Sequence, residues 1–258
     1  MVKEYPSGLV ERDFVKTPFG SMTDIPMLKI KPIDRSLWPD MVAKKTAERS
    51  WLWDVMKDNN IDSENQSNLG WCHTAGLVGA ATTLRVVRGL PIRRFSIASV
   101  AGPITGWKNK GMPILSALRQ AMDHGIGLRP DSPGADASVC MPNLTLHKSD
   151  MTDAVVQEAL KYRVVGYEID ASVFETIVTL ALMDIPTIWG IYRDWGHCVW
   201  GSLKLVYIKG KLRVIYRNSW TDSFTDDTLD VNEYPGCGSV EEAGYRCPEE
   251  CYALAVAA

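Results

Sequence analysis

The chain has 258 residues, of which 46% are hydrophobic and 23% are charged. This composition is typical of a water-soluble globular protein built as one large domain or two small ones. The 28 basic and 31 acidic side chains give a formal net charge of -3, and no dense run of lysine and arginine occurs. The charge pattern therefore predicts no nucleic-acid partner.

Apolar segments along the chain are short. The N-terminal sequence MVKEYPSGLVERDF has no apolar core of signal-peptide length, and the longest apolar run, IVTLALM, is too short to cross a bilayer. We therefore expect a soluble protein with no signal peptide and no membrane partner. In such a protein the six cysteines are expected to be reduced thiols, of which at most one is chemically active.

The first half of the chain is predicted to be mainly helical. Residues 1–45 contain five prolines, which interrupt any long helix, and are predicted to form an N-terminal arm. Helical spacing follows over residues 41–57. The segment after Cys72 is rich in alanine, leucine and valine with little charge, which indicates a long buried helix. Residues 95–102, FSIASVAG, are predicted to be a short strand and loop, and residues 113–125 a helix that ends at Gly125.

The pattern changes to strands after about residue 165. PTIWGIY, CVWGSLKLVYI and KLRVIYR alternate or are rich in β-branched residues, and Lys209-Gly210 between the last two predicts a hairpin turn. Helices before this point and strands after it predict an α+β protein with two packed halves. We place a mainly helical lobe at residues 46–165 and a mainly β lobe at residues 166–258.

Cys72 stands at the first turn of the predicted buried helix. An isolated cysteine is most often only a small buried hydrophobe. The unpaired N–H groups and the positive dipole end of a helix N-terminus, however, stabilise an anion and favour the thiolate, which attacks carbonyl carbons. Gly70, two residues earlier, allows a substrate backbone to come close. Cys72 is therefore the candidate nucleophile.

A nucleophilic thiol needs a proton-transfer partner, and the chain has four histidines. His73 adjoins Cys72, and neighbours on a helix point about 100° apart. His124 ends a predicted helix, where a cation suits the helix dipole, and His147 lies in a polar loop. His197 remains, at the entrance of a predicted strand.

The sequence RNSW at the end of the next strand supports His197. An antiparallel hairpin folds Asn218 to Trp220 back beside His197, so that the amide oxygen of Asn218 accepts from one imidazole nitrogen while the other faces the sulfur. The indole of Trp220 keeps water off that hydrogen bond. Gln66 is a candidate donor, together with the Cys72 backbone N–H, to the oxyanion of an attacked carbonyl.

In this order the motifs resemble those of the papain-like cysteine proteases. Gln66 lies six positions before Cys72, with Gly70 between them. GHCV followed by RNSW is similar to the family's histidine strand and Asn-Ser-Trp motif. NKGMPILSALRQAMDHGI is similar to its Asn-Gly-Gly stretch and the helix after it. The matching stretches cover most of residues 65–220.

The resemblance implies two lobes, with the cysteine helix in a mainly helical half, the histidine in an antiparallel β-barrel-like half, and a cleft between them. It implies that Cys72 is the nucleophile, His197 the general base and then acid, and Asn218 the residue that orients His197. Gln66 is then the oxyanion donor, and Gly111 matches the glycine that binds substrate backbone. No cofactor is implied.

Several residues depart from the family pattern. His73 stands where the family usually has tryptophan, and Cys198 replaces a small residue after the histidine. Trp195 lies two residues before the histidine, where its ring crowds the substrate pocket. The candidate substrate-binding residues are therefore Gly70, Gly111, Trp195 and Trp220. The arm is also shorter than the inhibitory propeptide of lysosomal members.

With these departures the chain as a whole resembles the compact papain-like proteins of bacteria and their phages. We therefore expect a cytoplasmic or virion-associated protein. Three functions fit. The first is a cysteine peptidase that hydrolyses a peptide or protein substrate through a Cys72 thioester. The second is a weakly active or inactive scaffold, such as an assembly component of a phage particle, whose arm holds a neighbouring protein. The third is a thiol amidase acting on peptidoglycan or isopeptide bonds.

The C-terminal cysteines do not predict a metal site. A structural zinc site needs four ligands, usually in two closely spaced pairs. Cys237, Cys247 and Cys251 have no fourth ligand nearby in the sequence. A bound metal is therefore not expected.

Overall fold

The contact between a long buried helix and the longest strand of a sheet organises the fold. The computed structural model describes residues 9–10, 16, 24–192, 196–224, 226, 228–245 and 250–256. Within these residues there are seven α-helices and six β-strands. The helices are α1 (Trp38–Glu48), α2 (Leu52–Asp58), α3 (Cys72–Val87), α4 (Ile97–Thr105), α5 (Ile114–His124), α6 (Asp153–Ala159) and α7 (Phe174–Leu182). The strands are β1 (Val164–Glu168), β2 (Thr187–Tyr192), β3 (Gly196–Ile208), β4 (Lys211–Arg217), β5 (Cys237–Glu241) and β6 (Glu250–Val256).

The six strands pair antiparallel in one sheet, in the order β1-β6-β2-β3-β4-β5. Six helices precede the first strand, and α7 is inserted between β1 and β2. This arrangement confirms the predicted α+β class. The sheet has two edges, β1 and β5, so the half expected to be barrel-like is an open sheet.

Helix α3 begins at Cys72, as predicted, and packs against β3. Two glycines one turn apart allow the close approach. A side chain added at Gly76 would lie 2.8 Å from the Cys198 sulfur, and one at Gly79 would lie 2.8 Å from the ring of Trp200. The small residues that make this helix apolar therefore also bring its first turn against the strand that carries His197.

A bulge in β3 sets the register in which β3 pairs with β4. β3 and β4 join through the predicted turn, where Lys209 and Gly210 have φ of 50° and 75°. Near the turn, Lys204 faces Ile215, but beyond the bulge Trp200 faces Arg217. The chain after Arg217 therefore continues alongside the beginning of β3.

Two predicted elements differ from the structure. Phe95 forms an isolated bridge with Leu128, but residues 97–102 form the start of α4, because Ser96 caps the helix by accepting from the Ser99 N–H and the small residues after it are buried. The predicted helix at 41–57 is two helices, α1 and α2, separated at Arg49, whose φ is 50°. Short buried apolar runs do not distinguish helix from strand by periodicity alone.

The described part of the arm lies on the body of the chain. Met27 pairs with Glu168 at the end of β1, and the Leu28 N–H donates to the Glu168 carbonyl at 2.8 Å. Among the residues that the structure describes, no helix has the length and apolar character needed to span a bilayer.

Gly125, the predicted stop of α5, provides a test of the fold. Its φ of 74° and ψ of -171° favour glycine, and an added Cβ would overlap the carbonyl oxygen of Ala159. We expect Gly125→Ala to lower the free energy of unfolding by about 3 kcal/mol or more, through strain and overpacking together. Urea denaturation measures the change.

Gly89 is the matched control for this substitution. Its φ of 67° is similar, but among the described residues no atom lies within 4 Å of an added Cβ. Gly89→Ala is expected to cost only about 1 kcal/mol, from backbone strain. Equal losses in the two variants would contradict the packing argument.

Candidate active site

The first turn of α3 and the start of β3 meet at the candidate active site. The Cys198 sulfur lies 4.0 Å from the carbonyl oxygen of His73, the residue after Cys72. Cys72 is fully buried, and His197 is 2% exposed. The structure therefore brings the candidate nucleophile and the candidate base, which are far apart in sequence, to two elements in direct contact.

The ring of His197 is held by a hydrogen bond at its edge and by an aromatic ring against its face. Its Nε2 lies 2.6 Å from Oδ1 of Asn218, which also accepts from the Ser219 backbone N–H at 2.7 Å. The ring stacks on Trp220, with centroids 4.2 Å apart and planes at 26°. Because Asn218 Oδ1 is an acceptor, Nε2 carries the proton and Nδ1 of the neutral ring is left with its lone pair.

Burial lowers the pKa of His197 to about 4, and the hydrogen bond with Asn218 acts in the opposite direction. Removing water disfavours the charged imidazolium more than one amide oxygen stabilises it. The ring is therefore neutral at pH 7 and able to accept a proton at Nδ1.

Gln66 is hydrogen-bonded to Ser219, the residue whose backbone N–H donates to the side chain of Asn218. Its side-chain Oε1 accepts from the Ser219 hydroxyl, and its backbone N–H donates to the Ser219 carbonyl at 3.0 Å. Its Nε2 donates to the Leu69 carbonyl at 2.8 Å. A side-chain amide has two N–H bonds, so Gln66 is able to donate the second to an oxyanion.

The segment before Cys72 is pinned to the loop that precedes α5. The Gly70 N–H donates to Oδ1 of Asn109 at 2.7 Å, and the Trp71 indole N–H donates to the Lys108 carbonyl at 3.2 Å. Gly70 is buried and Gly111 is partly exposed. These contacts make the loop a wall beside the first turn of α3.

Two residues of the arm occupy the space between this wall and β3. The Leu9 N–H donates to the carbonyl of Gly196, the residue before His197, at 3.4 Å. The Val10 N–H donates to the Met112 carbonyl at 3.3 Å, and Leu9 pairs with Met112 in a parallel bridge. The chain's own arm thus hydrogen-bonds both to the loop before α5 and to the start of β3. The space between these two segments is called the groove below.

The side chain of Leu9 fills a socket in the sheet. Gly190 on β2 stands directly opposite Cys198 on β3 and Glu250 on β6. A Cβ added at Gly190 would lie 3.2 Å from side-chain atoms of Leu9, Ile114 and Glu250. The absent side chain of Gly190 therefore provides the room that Leu9 occupies, and Leu9 is only 8% exposed.

The structure brings most of the predicted site residues together in one cluster. Cys72, Gln66, Asn218, Trp220 and Gly70 lie around the first turn of α3 and the beginning of β3. Trp195 lies outside the described residues. Gly111 stays a prediction, since the neighbouring Met112 makes the backbone contacts with the arm.

Sequence reasoning missed Leu9, Met112 and Gly190. A glycine within the apolar strand TIWGIY is a signal that another chain segment approaches closely, so Gly190 was detectable. Leu9 carries no such signal, because any apolar residue fits a socket that exists only in the folded sheet.

Solved structures with a similar fold include papain-like cysteine proteases. Xylellain, a cysteine protease from Xylella fastidiosa, is 12% identical over 100% of both chains with a TM-score of 0.60. Procathepsin B S9 from Trypanosoma congolense is 14% identical over 97% of this chain and 86% of its own, with a TM-score of 0.57. Bromelain from Ananas comosus, in complex with the E64 inhibitor, is 13% identical over 80% of this chain and 97% of its own, with a TM-score of 0.56.

The chain has the papain-like fold. No protein-family model matches the sequence. No curated protein matches it either. At 12–14% identity the similarity lies in the papain-like fold and not in the sequence as a whole.

A buried glutamate lies behind the site in this papain-like fold. Glu64 is two residues before Gln66, its backbone carbonyl accepts from the Thr221 N–H at 3.4 Å, and its carboxylate lies 3.3 Å from Arg129. Burial raises the pKa of Glu64 to about 7, although Arg129, Arg217 and Arg94 act to lower it. A carboxyl group that titrates near neutrality therefore lies beside the segment that carries Gln66.

The raised pKa of Glu64 predicts a pH-dependent stability. Below pH 4.5, the ordinary value, the carboxyl is protonated in both states; between pH 4.5 and about 7 the folded chain alone holds the proton. The contribution of this proton to stability is therefore complete below pH 4.5 and is lost as the pH rises to about 7. We expect the difference in unfolding free energy, wild type minus Glu64→Gln, to fall by about 3 kcal/mol across this range.

Denaturant titrations of both proteins at several pH values measure this difference. The contribution of His197, which has the opposite sign, is common to both proteins and cancels. A difference that stays constant with pH would show that Glu64 is ionised in the folded chain throughout the range.

Proposed function

We propose that the chain is a cysteine peptidase that hydrolyses peptide bonds of a peptide or protein substrate through a thioester at Cys72. The observation that carries the proposal is the His197–Asn218 hydrogen bond of 2.6 Å. The His197 ring also stacks on Trp220, and the strand that carries it packs against the first turn of α3. A buried, oriented and neutral imidazole next to a thiol at a helix N-terminus is the arrangement that nucleophilic catalysis by cysteine requires.

The reaction follows from the roles of these groups. Nδ1 of His197 takes the proton of the Cys72 thiol, and the thiolate attacks the substrate carbonyl carbon. The backbone N–H of Cys72 and Nε2 of Gln66 donate to the oxyanion, a kind of interaction that contributes roughly 2.7 to 4 kcal/mol per donor to transition-state stabilisation. His197 then protonates the leaving amine, and water activated by His197 hydrolyses the thioester.

The site is closed in this structure. Cys72 is 0% exposed, and Leu9 and Val10 bond to both walls of the groove beside it. We infer that a peptide substrate would bind to the same backbone groups, the carbonyls of Gly196 and Met112. Substrate and arm therefore compete, and the chain is an enzyme held latent by its own residues.

Labelling with E64, the inhibitor bound to bromelain, tests the peptidase proposal. We expect E64 to modify Cys72 in the Leu9→Ala variant, whose arm is expected to leave the site open, and the further substitution His197→Ala to abolish the modification, because the ring supplies the base. Mass spectrometry of peptides identifies the labelled thiol. Cys140 is the internal control, since it is partly exposed whereas Cys72 is fully buried. Labelling of Cys140 in preference to Cys72 would mean that exposure alone determines reactivity, and the proposal would fail.

Leu9→Ala tests the latency. Full burial of a leucine side chain contributes about 1.5 to 3 kcal/mol, so its truncation is expected to raise the rate of Cys72 labelling and of peptide hydrolysis about tenfold or more. The matched control is Leu37→Ala, because Leu37 is 51% exposed and lies before α1. Equal rates for Leu9→Ala and wild type would show that the arm does not limit access.

The burial of Cys72 also favours a second candidate function, a scaffold without turnover. In that case neither the wild type nor Leu9→Ala would react with E64, and the arm would serve assembly. The thiol amidase remains a variant of the first proposal. Digestion of a peptide library separates them, because an amidase specific for isopeptide or peptidoglycan bonds leaves ordinary peptides intact.

A further inference from the structure

The peptide bond between Asn218 and Ser219 has contacts on both of its polar groups. Its carbonyl oxygen accepts from the Ser63 hydroxyl, and its N–H donates to Oδ1 of the Asn218 side chain at 2.7 Å. A peptide unit is planar, so the direction of the C=O determines the direction of the N–H. The Ser63 hydroxyl therefore sets the donor that holds the amide oxygen facing His197.

Ser63 is itself held by a carboxylate. The Ser63 backbone N–H donates to Oδ1 of Asp222 at 2.9 Å, and the same oxygen lies 2.7 Å from Nη2 of Arg217. The Asp222 backbone carbonyl accepts from the Gly236 N–H at 3.1 Å, and the Gly236 carbonyl accepts from the Asn218 N–H at 2.8 Å. These contacts form a closed ring around Asn218.

A buried cation anchors this ring. Arg217 is 3% exposed, donates to the Ile61 carbonyl and lies 5.2 Å above the ring of Trp53. A buried guanidinium needs an ionic partner, and Asp222 supplies it. The position of the Asp222 carboxylate is therefore determined by the charge of Arg217, and the position of Ser63 by that carboxylate.

The same ring connects the two halves of the site. Ser63 lies three residues before Gln66 in the helical half, and Asn218 directly follows β4 in the β half. Ser219, between Asn218 and Trp220, bonds to Gln66 through both its backbone and its hydroxyl. A rotation of the Asn218–Ser219 peptide would therefore displace the partner of His197 and the oxyanion donor together.

We propose that Ser63, with Asp222 and Arg217, forms a positioning device for catalysis that acts through Asn218. This inference rests on the proposed peptidase function. Ser63 touches no reacting atom; it keeps the orientation of the group that orients the base.

Ser63→Ala tests the device without leaving a buried charge unpaired. We expect kcat for peptide hydrolysis by the full chain to fall about 10- to 100-fold, the loss typical of a small misplacement of catalytic groups, while KM changes less than about twofold. The acid limb of the pH profile of Cys72 alkylation by iodoacetamide is expected to move to lower pH. The reason is that the hydrogen bond with Asn218 raises the pKa of His197, and the variant weakens that bond.

Two control variants separate positioning from stability. Ser239→Ala removes a hydroxyl that bonds to Arg213 at 2.9 Å on the same sheet, away from Asn218. Glu241→Gln, compared with Asp222→Asn, removes the carboxylate paired with Arg213 at 2.8 Å. We expect Ser239→Ala to lower the melting temperature by an amount similar to Ser63→Ala. Glu241→Gln is expected to lower it less than Asp222→Asn, because Arg213 is more exposed than Arg217. In both controls kcat and the pH profile are expected to be unchanged.

The outcomes are distinguishable from those of the proposed function. If His197→Ala slows Cys72 alkylation while Ser63→Ala leaves kcat and the pH profile as in wild type, the positioning device is refuted and the peptidase proposal survives. If His197→Ala has no effect on alkylation of Cys72, the peptidase proposal fails and the positioning role fails with it.

Discussion

The packing of α3 against β3 is the contact on which the rest of the structure depends. Gly76 and Gly79 of α3 carry no side chains. The Cys198 sulfur and the Trp200 ring of β3 therefore lie directly against the helix backbone. One consequence is stability, since this interface lies in the main core. The other is chemical, because the helix end that carries Cys72 and the strand start that carries His197 are brought into contact by the same packing.

The bulge in β3 completes the arrangement from the opposite side. It changes the register so that Trp200 faces Arg217. Trp220 lies three residues after Arg217, and His197 lies three residues before Trp200. Because the two segments run antiparallel, Trp220 then lies beside His197, and the centroids of their rings are 4.2 Å apart. Without the change of register the sequence RNSW would pass β3 at a different height, and Asn218 would not reach the imidazole.

Exclusion of water determines the electrostatics of the site. The same desolvation lowers the pKa of His197 to about 4 and raises that of Glu64 to about 7, because burial disfavours the charged form of either group. The first shift keeps the imidazole of His197 neutral at pH 7. The arm contributes to this exclusion: Leu9 fills the space left by Gly190 and lies across the groove. In the proposed peptidase, latency and a neutral base would therefore share one physical cause, the exclusion of water.

The sequence by itself determined the local features: α3 begins at Cys72, α5 ends at Gly125, and the hairpin turns at Lys209-Gly210, because helix ends and tight turns depend on neighbouring residues. The resemblance of the motifs around Gln66, Cys72, His197 and Asn218 to those of the papain-like cysteine proteases also indicated the fold. Only the tertiary structure decided that residues 97–102 are helical, that Leu9 fills a socket at Gly190, and that Ser63 supports Asn218. These features depend on contacts between segments distant in the chain, which no local pattern of residues encodes.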